Sequence, residues 1–193
     1  MSEPTQQAGR EPITYVLVDG ENIDATLGLS ILERRPDRDE RPRWDRVLTF
    51  AERRWEQPVR GLFFIAIHEG FDMPFAFVQA MRSIGFRPIP VTGRRDQKVV
   101  DIAIKRTLGA IAERSGDVML ASHDGDFLPE LQALMDGRRI GVLGFNEFRN
   151  VGYADLADDI ELFDLEFDVG AFTQPLPRLR VIPIDEFDPV PFL

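Results

Sequence analysis

A three-layer α/β/α sandwich around a mainly parallel central sheet is the fold class that this sequence predicts, on three observations. Apolar runs of strand length alternate with segments of helical period along most of the chain. The runs are apolar throughout, not at every second residue, which is the pattern of strands covered on both faces. At 193 residues the chain is long enough for one domain with a substantial core and short for two.

Residues 1–12 are polar and patternless, and are expected to be disordered. The domain is expected over 13–168. Its first strand is "ITYVLVD" (13–19), rich in β-branched residues and closed by the turn-forming Gly20. A charged connection, 28–43, leads to a helix over 44–56, where Trp44, Val47, Leu48, Phe50, Ala51 and Trp55 form a stripe of helical spacing. "GLFFIAI" (61–67) is a buried strand, and 73–85 a helix with Pro74 in its first turn and Gly85 past its end. The two prolines of "FRPIPV" (86–91) assign that strand to a sheet edge. A long helix over 97–116, a strand over 117–122, a helix over 126–137 and a strand over 139–145 follow. A short helix and an edge strand are expected within 153–167. The acidic stretch 169–193, with prolines at 175, 177, 183, 189 and 191, reads as an extended tail.

Composition excludes several function classes. There is no cysteine, hence no disulfide framework, thiolate zinc site or cysteine nucleophile. No apolar run approaches the ~20 residues that cross a bilayer, and the N-terminus lacks secretory character, so a cytoplasmic protein without a membrane partner is expected. The formal net charge of −10 is unevenly spread: from Val151 onward ten acids face only Arg178 and Arg180. Arg34, Arg35, Arg38, Arg41, Arg43, Arg46, Arg53, Arg54 and Arg60 crowd into one region with Trp44 and Trp55, whereas lysine occurs only at 98 and 105.

The chemistry lies in the carboxylates. In a parallel α/β sheet the strand C-termini open onto one edge, where ligands bind. Asp19 ends the first strand, Asp124 and Asp126 follow another, and Asp101 interrupts the apolar face of "VVDIAI". Each has a purely structural alternative: Asp19 a turn, Asp126 a helix N-cap, Asp101 an ion pair with Lys98 or Lys105. Together they are acids from three segments whose mutual repulsion a hard divalent cation, Mg²⁺ or Mn²⁺, would offset.

"VLVDGEN" (16–22), "KVVD" (98–101), "ASHDGDFLPEL" (121–131) and "LADDIELF" (156–163) resemble, in order and spacing, the signature blocks of NYN domains, a Rossmann-like branch of the PIN-like metal-dependent ribonuclease superfamily. The resemblance implies an endoribonuclease that hydrolyses RNA phosphodiesters with metal-activated water. It implies metal ligation and catalysis by Asp19, Asp101, Asp124 and Asp126. Asn22, Lys98 and Ser122 are implied near substrate. Two positions depart from the common form: His123 stands where a Gly is usual, and Gly125 where a small polar residue is usual. His123 is therefore a candidate substrate contact, against the commoner reading of an exposed loop histidine; His68, beside Glu69, carries the same two readings. Arg94 and Arg95, just before Lys98, and the Arg-rich stretch 34–60 with Trp44 as a stacking surface, are candidate RNA contacts; for that stretch the alternative is that the Trp residues face the core of helix 44–56 and the arginines form its solvated face. Two other readings stand beside this one: a PIN-like RNA- or protein-binding module that does not cleave, and a TOPRIM-like phosphotransfer enzyme. No Walker A loop or DxDx[TV] nucleophile loop is present. The acidic tail offers a surface for a protein partner, and oligomeric state is open.

Overall fold

The computed structural model describes residues 12–67, 70, 72–94, 96–178 and 182–190. The N-terminal segment before residue 12, His68, Glu69 and Arg95 lie outside the described residues. Among these, the strands are β1 (Thr14–Asp19), β2 (Val59–Ala66), β3 (Phe86–Val91), β4 (Asp117–Ala121), β5 (Ile140–Gly144) and β6 (Glu161–Asp164). They form one sheet in the order β3-β2-β1-β4-β5-β6, and every pairing is parallel. The proline-bearing β3 is indeed an edge.

Helices α1 (Gly20–Thr26), α2 (Trp44–Trp55) and α3 (Phe75–Ser83) cover one face. Helices α4 (Val99–Ala112) and α5 (Leu128–Ala133) cover the other. Each central strand supplies both cores, because successive side chains point to opposite faces. From β1, Val16 and Val18 join Trp44, Val47 and Phe63, while Leu17 joins Ile104, Leu108 and Leu120. The expected turn after Asp19 is instead the start of α1, which runs on through a π-helical turn over Leu27–Ile31. Gly20 is required there by close approach, since a Cβ would stand 2.7 Å from the Phe63 ring.

Trp44 is buried edge-on against Phe63, with ring centroids 5.2 Å apart. It is therefore a core residue and not a stacking platform for a base. Trp55 is buried too, and its Nε1–H donates to Glu161 Oε1 at 2.7 Å.

The start of the stretch that reads as a tail is folded onto the body. Ala171 and Phe172 are buried in the core, and Arg46 Nη1 donates to the carbonyls of Gly170 and Phe172 at 2.7 and 2.9 Å. Arg178 is caged. It donates to Asp164 Oδ1 at 2.8 Å, Asp164 Oδ2 at 2.6 Å and Glu166 Oε2 at 3.0 Å, and pairs with Glu147. Its guanidinium lies over the rings of Phe145 and Phe167, and its side chain is 2% exposed. Asp164, itself fully buried, also accepts the backbone N–H groups of Asn146, Glu166 and Phe167. No helix among the described residues is long and apolar enough to cross a membrane.

Removing one partner of a buried ion pair leaves the other charged and unsolvated. Arg178→Met is expected to destabilise the protein by about 3–5 kcal/mol in urea unfolding. Arg178→Lys should recover only part of this, because an ammonium lacks the planar fork that spans Asp164 and Glu166.

Candidate active site

The sheet order sets the place. The chain runs outward from β1 through β2 to β3, then returns by α4 to β4 and runs outward the other way. The reversal falls between β1 and β4, where the crevice of an open α/β sheet forms. Register pairs Val18 with Ala121, so Asp19 and Ser122 emerge side by side at that edge.

Asp19 is 3% exposed and is the N-cap of α1: its Oδ1 accepts Asn22 N–H at 3.2 Å. Its Oδ2 accepts the Ser122 hydroxyl at 3.3 Å. Burial pushes its carboxyl up to about 6, against the lowering effect of the Asn22 N–H, and the Asp101 charge adds to the rise.

The loop after β4 is built from the inside. His123 is 5% exposed and stacks on Phe145, with ring centroids 5.4 Å apart. Phe145 N–H donates to Nε2 at 2.6 Å, so the proton of the neutral ring resides on Nδ1, which donates to Asn22 Oδ1 at 3.0 Å. His123 N–H donates to the same oxygen at 2.8 Å. Burial drives the ring down to about 4, and it stays neutral near physiological pH. The reading of His123 as an exposed loop residue is thereby corrected: it is buried, with both ring nitrogens engaged inside the protein. Ser122 is likewise fully buried, donating to Asp19 and accepting Asp124 N–H at 3.2 Å. Its hydroxyl links Asp19 to the backbone of Asp124.

The N-cap expected of Asp126 belongs to Asp124, whose Oδ1 accepts Asp126 N–H at 2.9 Å. Tyr153 O–H holds the same turn by donating to the Asp124 carbonyl at 2.6 Å. Gly125 packs so closely on Asn150 that a Cβ would lie 2.5 Å from its amide nitrogen.

Asp101, Asp124 and Asp126 converge: each offers an oxygen, and these lie within 4.8 Å of one another. Lys98 Nζ stands among them, 3.0 Å from Asp126 Oδ2, 3.4 Å from Asp101 Oδ2 and 3.7 Å from Asp124 Oδ2. The carboxylate of Asp126 first, then that of Asp101, raises the Lys98 pKa, and the ammonium in turn lowers that of Asp126. Asp101 Oδ2 is buried and has no hydrogen-bond partner. A buried carboxylate oxygen with no hydrogen bond, paired only with the Lys98 ammonium at 3.4 Å and facing two other carboxylates, in an all-oxygen donor set, fits a hard divalent cation. Asp19 lines the same cleft, about 200 Å³ in volume, together with Asn22, Lys98, Asp101 and Asp124, but stands outside the tight group of three.

Other candidates lie elsewhere. Arg94 is exposed on the approach to α4, with Asp96 at 3.7 Å. The Arg-rich stretch is largely spent on its own surroundings: Arg34 on Glu40, Arg41 on Asp24, Arg43 on Asp45, Arg54 on Glu161 and Arg46 on backbone carbonyls. Sequence reasoning missed Tyr153 and Arg178. For Arg178 a signal existed, a basic residue in a strongly acidic segment; for Tyr153 there was none.

A family model described as NYN domain matches residues 13–159. No curated protein matches the chain. Among solved structures, the crystal structure of VPA0982, a protein of unknown function from Vibrio parahaemolyticus, superposes with a TM-score of 0.63 at 20% identity. It covers 84% of this chain and 98% of its own, a likeness of fold.

The raised pKa of Asp19 has a signed consequence for stability. In the unfolded chain an Asp titrates near ~4, so between that pH and about 6 the folded state holds the extra proton. Stability is therefore lost as pH rises through this window and stays lower above it. Metal-free Asp19→Asn is expected to be more stable than the parent at pH 7.5 by about 1–3 kcal/mol, with the difference closing toward pH 4. Thermal unfolding in EDTA at the two pH values checks this.

Proposed function

This chain belongs to the NYN domain family, a PIN-like nuclease family, and from that membership we propose that it is a metal-dependent endoribonuclease hydrolysing RNA phosphodiester bonds. The observation that carries the reading is the convergence of Asp101, Asp124 and Asp126 beside Asp19, with an Asp101 oxygen that no hydrogen bond satisfies. In this proposal those three acids hold Mg²⁺ or Mn²⁺ and Asp19 completes the set. Bound there, the cation supplies an acidified water as nucleophile and offsets charge on the phosphate oxygens.

The other roles follow from which atoms are already committed. Asn22 spends its carbonyl oxygen on His123 twice, which leaves its amide NH₂ for a phosphate oxygen or a water in the cleft. Ser122 and His123 hold Asp19 and the acidic loop in register. Lys98 and Arg94 are the proposed phosphate contacts, Lys98 being two-thirds exposed at the mouth of the cleft. The TOPRIM-like alternative falls with membership in the NYN family. One observation favours a second reading, a module that binds RNA without cleaving: the Lys98 ammonium already neutralises part of the triad. A protein that binds Mn²⁺ yet cleaves none of a panel of RNAs would support that module.

For the enzyme, cleavage of labelled RNA should require Mn²⁺ or Mg²⁺, stop in EDTA, and fall by at least about a hundredfold in Asp101→Asn and Asp124→Asn. Undiminished cleavage by Asp124→Asn would assign the activity to a contaminant and defeat the proposal. Arg94→Ala should weaken RNA binding across sequences and reduce the slope of log affinity against log salt by about one.

A further inference from the structure

The centre of the triad holds one cation at a time. Lys98 Nζ occupies it now, within 3.0–3.7 Å of Asp126, Asp101 and Asp124. A divalent cation taking oxygens of these same carboxylates at about 2.0–2.2 Å would claim the same space, and two cations in contact repel. We propose that Lys98 is a built-in counter-ion that divalent-cation binding expels from the triad, and that the expelled ammonium becomes a contact for the substrate phosphate. The inference rests on the nuclease reading above and adds to it an exchange between two states of one side chain.

The chain is arranged for such an exchange. Lys98 is the N-cap of α4 with non-helical backbone, and its side chain is 66% exposed. Its flexible four-carbon stem can swing outward without disturbing the core. Among the described residues the ion pairs of these three acids are with Lys98; Lys105 pairs with Glu130 at 3.8 Å and acts on Asp126 only through its charge, and Arg94 faces Asp96. Nor does the ammonium satisfy the site in full, for at 3.4 Å it leaves Asp101 Oδ2 without a hydrogen bond. A cation with shorter, multiple bonds to oxygen removes that deficit.

The exchange also changes what an incoming phosphate meets. In the ammonium state, three carboxylates share a single positive charge and repel RNA. After exchange, a double charge sits in the triad and a free ammonium stands at its mouth. Cation binding and RNA binding then favour each other, as linkage requires.

Calorimetric titration of Mn²⁺ into the full chain, without RNA, tests the first half. Lys98→Met should bind Mn²⁺ about three- to thirtyfold more tightly than the parent, a modest gain because the displaced ion pair is largely solvated. In EDTA, Lys98→Met should melt below the parent, and saturating Mn²⁺ should close that gap. Lys98→Gln is the second variant should Lys98→Met fail to fold. At saturating Mn²⁺ the loss of the phosphate contact should raise KM for RNA several-fold, more than it lowers kcat. Equal or weaker Mn²⁺ binding by both variants overturns the exchange while leaving the nuclease reading intact. An unchanged KM overturns the phosphate contact. A parent protein that takes up no Mn²⁺ defeats the nuclease reading itself, and this inference with it.

Discussion

One oxygen joins the two halves of the acidic cleft. Asn22 Oδ1, on the helix that follows β1, receives both the backbone N–H and the ring Nδ1–H of His123, on the loop that follows β4. Strand pairing alone fixes where Asp19 and Ser122 leave the sheet, but not how the loops beyond them lie. With the tie made, the Ser122 hydroxyl reaches Asp19, and Asp124 can turn one oxygen inward to its own loop and the other toward Lys98. The acids of this edge would otherwise separate, because each lowers the cost of its charge by moving into water. His123 can serve this purpose only as a neutral ring, since its Nε2 must keep a lone pair for the Phe145 N–H. A histidine at the centre of an acidic site is here a spacer with two defined hydrogen bonds.

Much of this was legible in the sequence, and the limit falls at a recognisable place. The layers, the parallel sheet, the edge position of β3 and the convergence of Asp101, Asp124 and Asp126 follow from periodicity, proline chemistry and family blocks, all of them local signals. What stayed hidden depends on partners remote in sequence. His123 is buried by Phe145 and Asn22, Arg178 by Asp164 and Glu147. Periodicity tells which face a residue takes but not what waits on that face. The start of α1 was missed for a different reason: Gly20 and Asp19 carry turn chemistry, and the same Asp side chain that opens a turn caps a helix.

The charge pattern gains meaning from the same pairings. An acidic protein that acts on RNA needs positive potential near the cleft, and the count of arginines in 34–60 suggested a patch there. Five of those nine guanidinium groups, Arg34, Arg41, Arg43, Arg46 and Arg54, answer carboxylates or carbonyls nearby, so part of that charge is already matched at the surface. Positive charge at the cleft is instead sparse and placed: Lys98 at its mouth and Arg94 on the approach. A surface of this kind attracts polyanions weakly over long range and relies on short-range contacts once they arrive.

The Arg178 cage bears on how the chain comes into being. Synthesis is vectorial, so Glu147, Asp164 and Glu166 leave the ribosome before the guanidinium that neutralises them. Until then Asp164, at the end of β6, and its neighbours Glu147 and Glu166 lack the guanidinium that bridges them. Arg178 also lies against Phe145, the residue whose backbone N–H holds His123. One guanidinium thus braces both the end of β6 and the ring that backs the acidic cleft.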